Sequence, residues 1–149
     1  MYIRWLIPFI WELERYHIQN IVVDFGYESE ENYCSYETLS STKLYVKPSD
    51  HEQRKTRKYR TDISRRENTA YNSETDSYTC AAGKPIIYDY DKHSKSKTGL
   101  ELTTSVYSCK DCADCLPKEK CNRARSKKPL EDQNKAIYVS ERFPLNGKR

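Results

Sequence analysis

Apolar and polar positions alternate in a way that predicts four short elements in the first third of the chain. Apolar residues spaced three or four apart predict a helix over residues 5–16, and a β-branched run predicts a buried strand over residues 21–24. Ser29 precedes acidic residues, as at a helix N-terminus, so a second helix is predicted to about Leu39. Residues 43–46 predict a second strand. Helix, strand, helix, strand with short links indicates an α/β unit with parallel strands.

The pattern changes after residue 48, where basic residues become dense and apolar residues scarce. We interpret residues 49–70 as a solvated or disordered linker. Its cations are also candidates for contact with the phosphates of DNA, with Tyr59 a candidate to stack on an exposed base. No recognition-helix pattern accompanies them, so sequence-specific reading of DNA is not expected. The candidate DNA-binding residues are Arg54, Lys55, Arg57, Lys58 and Arg60.

Short alternating runs return in the second half of the chain. Residues 77–80 and 85–90 flank a glycine-containing turn and predict a hairpin, and residues 100–107 predict a third strand. That strand leads directly into a cluster of cysteines. The predicted β-rich, cysteine-bearing segment covers residues 71–125, and the expected fold class is α/β.

The low content of aliphatic and phenylalanine residues argues against a complete domain that folds on its own. Fewer than one residue in five is Leu, Ile, Val or Phe, which is little apolar surface to offset the entropy of a folded chain. The net charge of +4 argues against outright disorder, and 13 tyrosines supply amphipathic bulk. We therefore expect a chain that folds in parts, or one that needs partners to complete its core.

The apolar N-terminal run, residues 5–11, is too short to span a bilayer and lacks a small-residue cleavage site. We expect a cytoplasmic protein without a membrane partner. In a reducing compartment, six cysteines favour metal binding over disulfides.

Four cysteines form a C-x2-C-x2-C-x5-C cluster that suits the tetrahedral thiolate shell of structural zinc. The predicted ligands are Cys109, Cys112, Cys115 and Cys121, with Cys80 on the hairpin as a replacement ligand. The nearby cations Lys110, Lys118, Lys120 and Arg123 are expected to offset the charge of the thiolates. Free surface cysteines, disulfides and an iron–sulfur cluster remain alternatives, although the fourth cysteine lacks the spacing and the proline of a ferredoxin run.

Asp24 ends the first predicted strand, beside Gly26, where a carboxylate is well placed for a metal or a substrate, although such an aspartate often only caps a turn. The stretch V-V-D-F-G-Y-E-S-E-E-N-Y (residues 22–33) resembles the D-x-G-Y-x-S-E-E-N stretch of bacterial insertion-sequence transposases of the DDE, RNase H-like class. Residues 71–84 resemble the insertion of this family, and residues 107–121 resemble its cysteine cluster. Phe25 and the Leu116-Pro117 order depart from the usual family pattern.

This resemblance implies that Asp24 is the second of three catalytic carboxylates, which in the intact family enzyme hold two Mg²⁺ ions for cleavage and transfer of DNA strands. It places the first aspartate before Leu6 and the glutamate beyond Phe143. We therefore expect a transposase fragment that is catalytically incomplete alone, with other transposase chains or fragments as partners. The organisation implied is a partial RNase H-like core (1–48), the linker (49–70), the zinc insertion (71–125) and the start of the segment leading to the catalytic helix (126–149).

Two other functions fit the same residues. One is a stand-alone zinc module that binds nucleic acid without catalysis, and the other is a small iron–sulfur electron carrier. Translation of the flanking DNA separates a transposase fragment from a stand-alone module, while colour and metal content test the iron–sulfur alternative.

Overall fold

The computed structural model describes residues 15–24, 26, 29–37, 43–97, 99–122 and 129–141. The chain divides into two compact units, residues 1–56 and 57–149. The division falls inside the basic segment 49–70. No helix in the described part of the chain is long and apolar enough to cross a membrane.

The first unit is a parallel strand pair with a helix between its strands. Strand β1 (Asn20–Val23) is followed by α1 (Glu30–Glu37), β2 (Lys43–Val46) and the short α2 (His51–Arg54). The two strands run parallel, with Ile21 opposite Leu44. Both predicted strands and their parallel pairing are confirmed, so this unit is α/β.

Local capping explains where α1 begins. The Ser29 hydroxyl accepts a hydrogen bond from the Asn32 amide at 3.2 Å, which satisfies one of the free amides of the first turn. The predicted burial of β1 is only partly correct, because Ile21 is buried while Val22 is 80% exposed. The predicted first helix, residues 5–16, lies outside the described residues except for its last two positions.

The second unit is built on a five-stranded antiparallel sheet in sequence order. Helix α3 (Arg57–Arg60) and a 3₁₀ turn (Arg66–Asn68) precede it, α4 (Lys118–Cys121) follows the fourth of its strands, and a second 3₁₀ turn (Leu130–Asp132) precedes the last. The strands are β3 (Ala70–Asn72), β4 (Ser77–Thr79), β5 (Pro85–Lys95), β6 (Glu101–Ser108) and β7 (Ala136–Ser140). The predicted hairpin and third strand correspond to β4, β5 and β6.

The core of this unit lies on one face of the sheet. Tyr78 pairs with Ile86, and Tyr107 pairs with both Tyr88 and Ile137, so these side chains share a face. The Tyr78 and Tyr107 rings meet edge to face with centroids 5.0 Å apart. Tyrosine thus supplies much of the core bulk that the sparse aliphatic residues do not.

The interpretation of residues 49–70 as a solvated or disordered linker was wrong in part. This segment contains α2, α3 and the first 3₁₀ turn, and Tyr59 is buried. The Arg65 guanidinium lies 4.0 Å from the Tyr59 ring centroid, and Asn68 donates a hydrogen bond to the Tyr59 carbonyl at 2.7 Å. Tyr59 is therefore not exposed for stacking on a nucleic-acid base, as was expected. Its side chain is buried, and the Arg65 guanidinium covers one face of its ring.

Candidate metal centre

Strand direction places the cysteines of the second unit at the same end of the sheet. Since neighbouring strands are antiparallel, β4 and β6 finish at the end of the sheet where β5 and β7 begin. Cys80 follows β4 directly, and Cys109 follows β6 directly. Cys112 and Cys115 lie in the loop after β6, and Cys121 is the last residue of α4. Residues far apart in sequence therefore meet there.

Backbone hydrogen bonds fix the segments that carry these cysteines. The Cys80 amide donates to the Lys84 carbonyl, and the Gly83 amide donates to the Cys80 carbonyl, both at 2.9 Å. Gly83 has a φ of +76°, which glycine adopts readily and other residues do not. The Cys109 amide donates to the Lys135 carbonyl at 2.9 Å and so extends the pairing of β6 and β7.

Because side chains alternate between the two faces of a strand, two of the cysteines lie on the core face of the sheet. Cys80 lies two residues beyond Tyr78, and Cys109 lies two residues beyond Tyr107, so each shares the face of its buried tyrosine. Cys109 and Cys112 are members of the buried core cluster, and Cys80 packs against it.

Five cysteines line one small pocket with an open mouth. Its empty volume is about 290 Å³, including solvent space at the mouth. Cys109 and Cys112 are buried, and the other three are half-buried. As placed, no three His, Cys, Asp or Glu side chains in the described residues form a group that could hold a metal ion. The lining residues are Cys80, Lys84, Cys109, Cys112, Cys115, Lys118, Cys121, Asn122 and Lys135.

The surroundings of Cys109 and Cys121 favour the neutral thiol when no cation is bound. Burial raises the pKa of Cys109 to about 11, and the neighbouring Cys112 and Cys80 thiols also raise this pKa. A hydrogen bond from the Asp111 amide acts in the opposite direction and lowers the pKa. Burial also raises the pKa of Cys121, opposed by Lys135 and reinforced by Cys80, Cys112 and Cys115. A bound dication displaces such thiol protons, which couples metal binding to proton release.

Two buried lysines provide positive charge at the same pocket. Lys118 and Lys135 are 9% and 6% exposed. The Lys118 ammonium donates to the Glu131 carbonyl at 2.6 Å, and the Lys135 ammonium donates to the carbonyls of Ser64 at 2.6 Å and Cys121 at 3.4 Å. Within the described residues neither ammonium forms an ion pair with a carboxylate. A buried ammonium held by carbonyls alone gains from an anionic neighbour.

The donor chemistry therefore fits a tetrathiolate zinc site, while closure of the shell needs the sulfurs to converge. A Zn²⁺ ion with four thiolate ligands has a net charge of −2, which the positive charges of the two buried lysines offset. The thiols are short side chains that line the pocket, so rotation about each Cα–Cβ bond moves a sulfur without moving the backbone.

The structure brings together all four predicted zinc ligands and the replacement ligand Cys80. Of the predicted compensating cations, Lys118 lines the pocket, Lys110 and Lys120 are exposed, and Arg123 lies outside the described residues. Sequence reasoning missed Lys84 and Lys135. Lys84 carried a signal, since it is the last residue of the predicted hairpin turn that begins directly after Cys80. Cys34, which is not among the lining residues, is half-buried in α1.

None of the other predicted site residues lines this pocket. Asp24 follows β1 directly and is exposed. The Arg54 guanidinium pairs with Asp50 at 2.8 Å, and the Lys55 ammonium pairs with Glu52 at 3.0 Å. Arg57, Lys58 and Arg60 are exposed on α3, in the second unit.

Comparison of the chain with protein-family models, with curated proteins and with solved structures found no match.

Proposed function

We propose that the second unit is a zinc-stabilised β module, in which four cysteines of the pocket hold one Zn²⁺. The observation that carries this proposal is the meeting of five cysteines from β4, the loop after β6 and α4 in one pocket. When bound, zinc supplies a cross-link between these segments. The module is small and poor in aliphatic residues, and a structural metal is the usual supplement to such a core.

Charge supports zinc over free surface thiols. Surface cysteines need no compensating cations, whereas the Lys118 and Lys135 ammoniums are buried at this pocket. Retaining two buried charges is costly unless an anion lies nearby. The thiolate–zinc complex is the anion that the lining residues themselves can form.

We further propose that the chain is part of a DDE transposase. Support comes from the resemblance around Asp24, residues 71–84 and residues 107–121. The parallel pairing of β1 and β2 with α1 between them is compatible with the expected RNase H-like core. Asp24, which the resemblance assigns as the second catalytic carboxylate, follows β1 directly.

Residues 1–149 contain one matched carboxylate, and one carboxylate does not assemble a two-metal site. We expect the purified chain not to nick supercoiled DNA in Mg²⁺ or Mn²⁺. Gel assays of wild type and Asp24→Ala test this expectation. Nicking by wild type that disappears in Asp24→Ala would overturn the proposed incompleteness, whereas nicking that persists in the variant indicates a contaminating nuclease.

The alternative is a zinc module that binds nucleic acid without catalysis, favoured by the exposed cations of α3. Removing one cation that neutralises a phosphate should reduce the slope of log affinity against log salt by about 1. We expect Arg57→Ala to weaken DNA binding and lower this slope, with Lys92→Ala, a substitution on β5 that also removes one cation, as the matched control. A DNA affinity that does not change with salt concentration, or that Arg57→Ala and Lys92→Ala reduce equally, would contradict a role for α3.

A further inference from the structure

Strand β5 is paired over different lengths on its two sides. β6 pairs with it as far as Lys95, whereas β4 pairs with it only from Pro85 to Ile87. Residues 88–95 are exposed. Within the described residues, no backbone hydrogen bond reaches the outer side of β5 over this stretch. The N–H and C=O groups that point outward there are open to a further strand.

The hairpin that joins β5 to β6 determines which backbone groups point outward. The Ser96 amide donates to the Leu100 carbonyl at 2.9 Å, so this pair closes the hairpin with a hydrogen bond. In an antiparallel ladder, hydrogen-bonded pairs alternate with pairs that are not hydrogen-bonded. Counting back from Ser96, the amides and carbonyls that point away from β6 are therefore those of Asp91, His93 and Lys95.

The side chains of these three residues lie on one face of β5 and differ in charge. An open edge can pair with a further strand, and many proteins block such an edge with charged residues. Here the order along the face is Asp91, His93, Lys95. A second copy of the strand that runs antiparallel and is centred on His93 places Asp91 of each copy opposite Lys95 of the other. Opposite charges in directly opposed positions stabilise a strand pair.

The neighbouring registers are less favourable because they oppose like charges. A pairing centred on Asp91 sets two carboxylates against each other, and a pairing centred on Lys92 sets two ammoniums against each other. A pairing centred on Ser94 sets His93 against Lys95 twice. Charge therefore selects the register centred on His93.

We propose that a second copy of this chain binds this edge, and that the two β5 strands pair antiparallel about His93 into one continuous sheet. Each outward amide of Asp91, His93 and Lys95 donates to an outward carbonyl of the other copy. Each Lys95 ammonium, which binds Glu101 of its own chain at 2.9 Å, gains Asp91 of the other copy as a second partner. Since exposed ion pairs contribute little, the backbone hydrogen bonds supply the attraction and the charges set the register. This association depends on neither the zinc nor the transposase proposal.

The first test measures the mass of the full chain in solution by sedimentation equilibrium, with reductant present to exclude disulfide-linked dimers. The buffer is at about pH 8, where an ordinary histidine is neutral. We expect the mass of wild type to rise with concentration from that of one chain toward that of two. His93→Pro should keep the mass of one chain, because the amide that it removes points away from β6. His93→Ala, the matched control, keeps this amide and should dimerise as wild type does.

The second test exchanges the charges that set the register. Asp91→Lys places a cation opposite Lys95 of the other copy, and Lys95→Glu places an anion opposite Asp91. Each variant alone should dimerise more weakly than wild type by about tenfold or more. Mixed together, the two variants should form a heterodimer that native mass spectrometry identifies, because each lysine then faces a carboxylate. Lys92→Glu, a charge reversal opposite Ser94 of the other copy, is the matched control and should dimerise as wild type does.

Wild-type protein that keeps the mass of one chain at the highest concentration reached would overturn the proposal. Dimerisation of His93→Pro as strong as that of wild type would also overturn it, because the interface would then lie elsewhere. Circular dichroism reports whether the proline variant is folded, and the charge variants carry the test if it is not. If wild type dimerises but the two charge variants do not combine, the proposed pairing is wrong.

Discussion

Lys135 contacts three parts of the pocket at once. Its amide donates to the Cys112 sulfur, its carbonyl accepts from the Cys109 amide, and its ammonium binds the Ser64 and Cys121 carbonyls. One residue thus links the segment before β3, the end of β6 and α4. Only its ammonium can be removed without disturbing the backbone contacts, and that makes its charge testable.

We expect Lys135→Met to weaken zinc binding by about 10–100-fold, as the loss of outer-shell partners does in other metal sites. Methionine keeps the apolar stem and the backbone contacts but removes the positive charge beside the thiolates. Competition with a chelator of known affinity measures the change. Lys120→Met, an exposed substitution on α4, is the matched control. Equal zinc affinity in wild type and Lys135→Met would show that the buried charge does not support the site.

The tyrosines of the core face make the second unit sensitive to alkali. Burial raises the pKa of Tyr78 to about 12. Burial likewise raises the pKa of Tyr107, whose hydroxyl donates to the Asp76 carboxylate at 2.9 Å. Since the folded protein holds these protons more tightly than the unfolded chain does, their stabilising effect is complete below pH 10. It declines as the pH rises from 10 toward 12.

Tyr78→Phe should therefore move the alkaline unfolding transition to higher pH, because it removes one group that must ionise. Far-ultraviolet circular dichroism across pH 9–12.5 measures the midpoint. Tyr138→Phe, on the exposed face of β7, should leave the midpoint where it is in wild type. A Tyr78→Phe midpoint equal to or below that of wild type would contradict the assigned cause.

Among the elements, the turn between β4 and β5 requires a residue that tolerates a positive φ. Gly83 adopts a positive φ, and a Cβ added there would meet no atom within 4 Å. The cost of a larger residue is therefore conformational and not steric. The same turn holds Cys80, so strain in the turn reaches the pocket through the Cys80 amide and carbonyl.

Gly83→Ala should destabilise the second unit by about 1–2 kcal/mol, the cost of a left-handed conformation for a residue with a Cβ. Thermal unfolding should show a Tm lower by roughly 5–10 °C for a unit of this size. Gly83→Asn should lose less, because asparagine tolerates this conformation better than alanine. If alanine and asparagine cost the same, backbone strain is not the cause.

The sequence predicted those elements that depend on interactions between residues close together in the chain. Capping by Ser29, the β-branched run of β1 and the turn between β4 and β5 each depend on neighbouring residues, and each was predicted. The three-residue β3 has no such signal, since its pairing with β4 defines it. Tyr59 was misplaced because its burial depends on Arg65 and Asn68, which fold back over it. Lys135 lies 14 residues from Cys121, beyond the reach of any spacing rule.

For the molecule as a whole, the two units support different parts of the proposed function. The first unit carries Asp24 and the parallel strand pair, on which the transposase proposal depends together with the resemblance of residues 71–84 and 107–121. The second unit carries the cysteine pocket, on which the zinc proposal depends. The zinc proposal can therefore hold even if the transposase proposal fails, which is why the metal is the more direct test.

Elemental analysis of the full chain, purified in the presence of reductant, tests the central claim most directly. We predict close to one zinc per chain, no brown colour, and loss of the metal when Cys112→Ala is combined with Cys121→Ala, which leaves three of the five pocket cysteines, with Cys34→Ala as the control that retains it. Cys34 belongs to the first unit and does not line the pocket. Iron with visible absorbance would favour a cluster. Metal-free protein that does not take up added zinc, or zinc content unchanged when Cys112→Ala is combined with Cys121→Ala, would contradict the account.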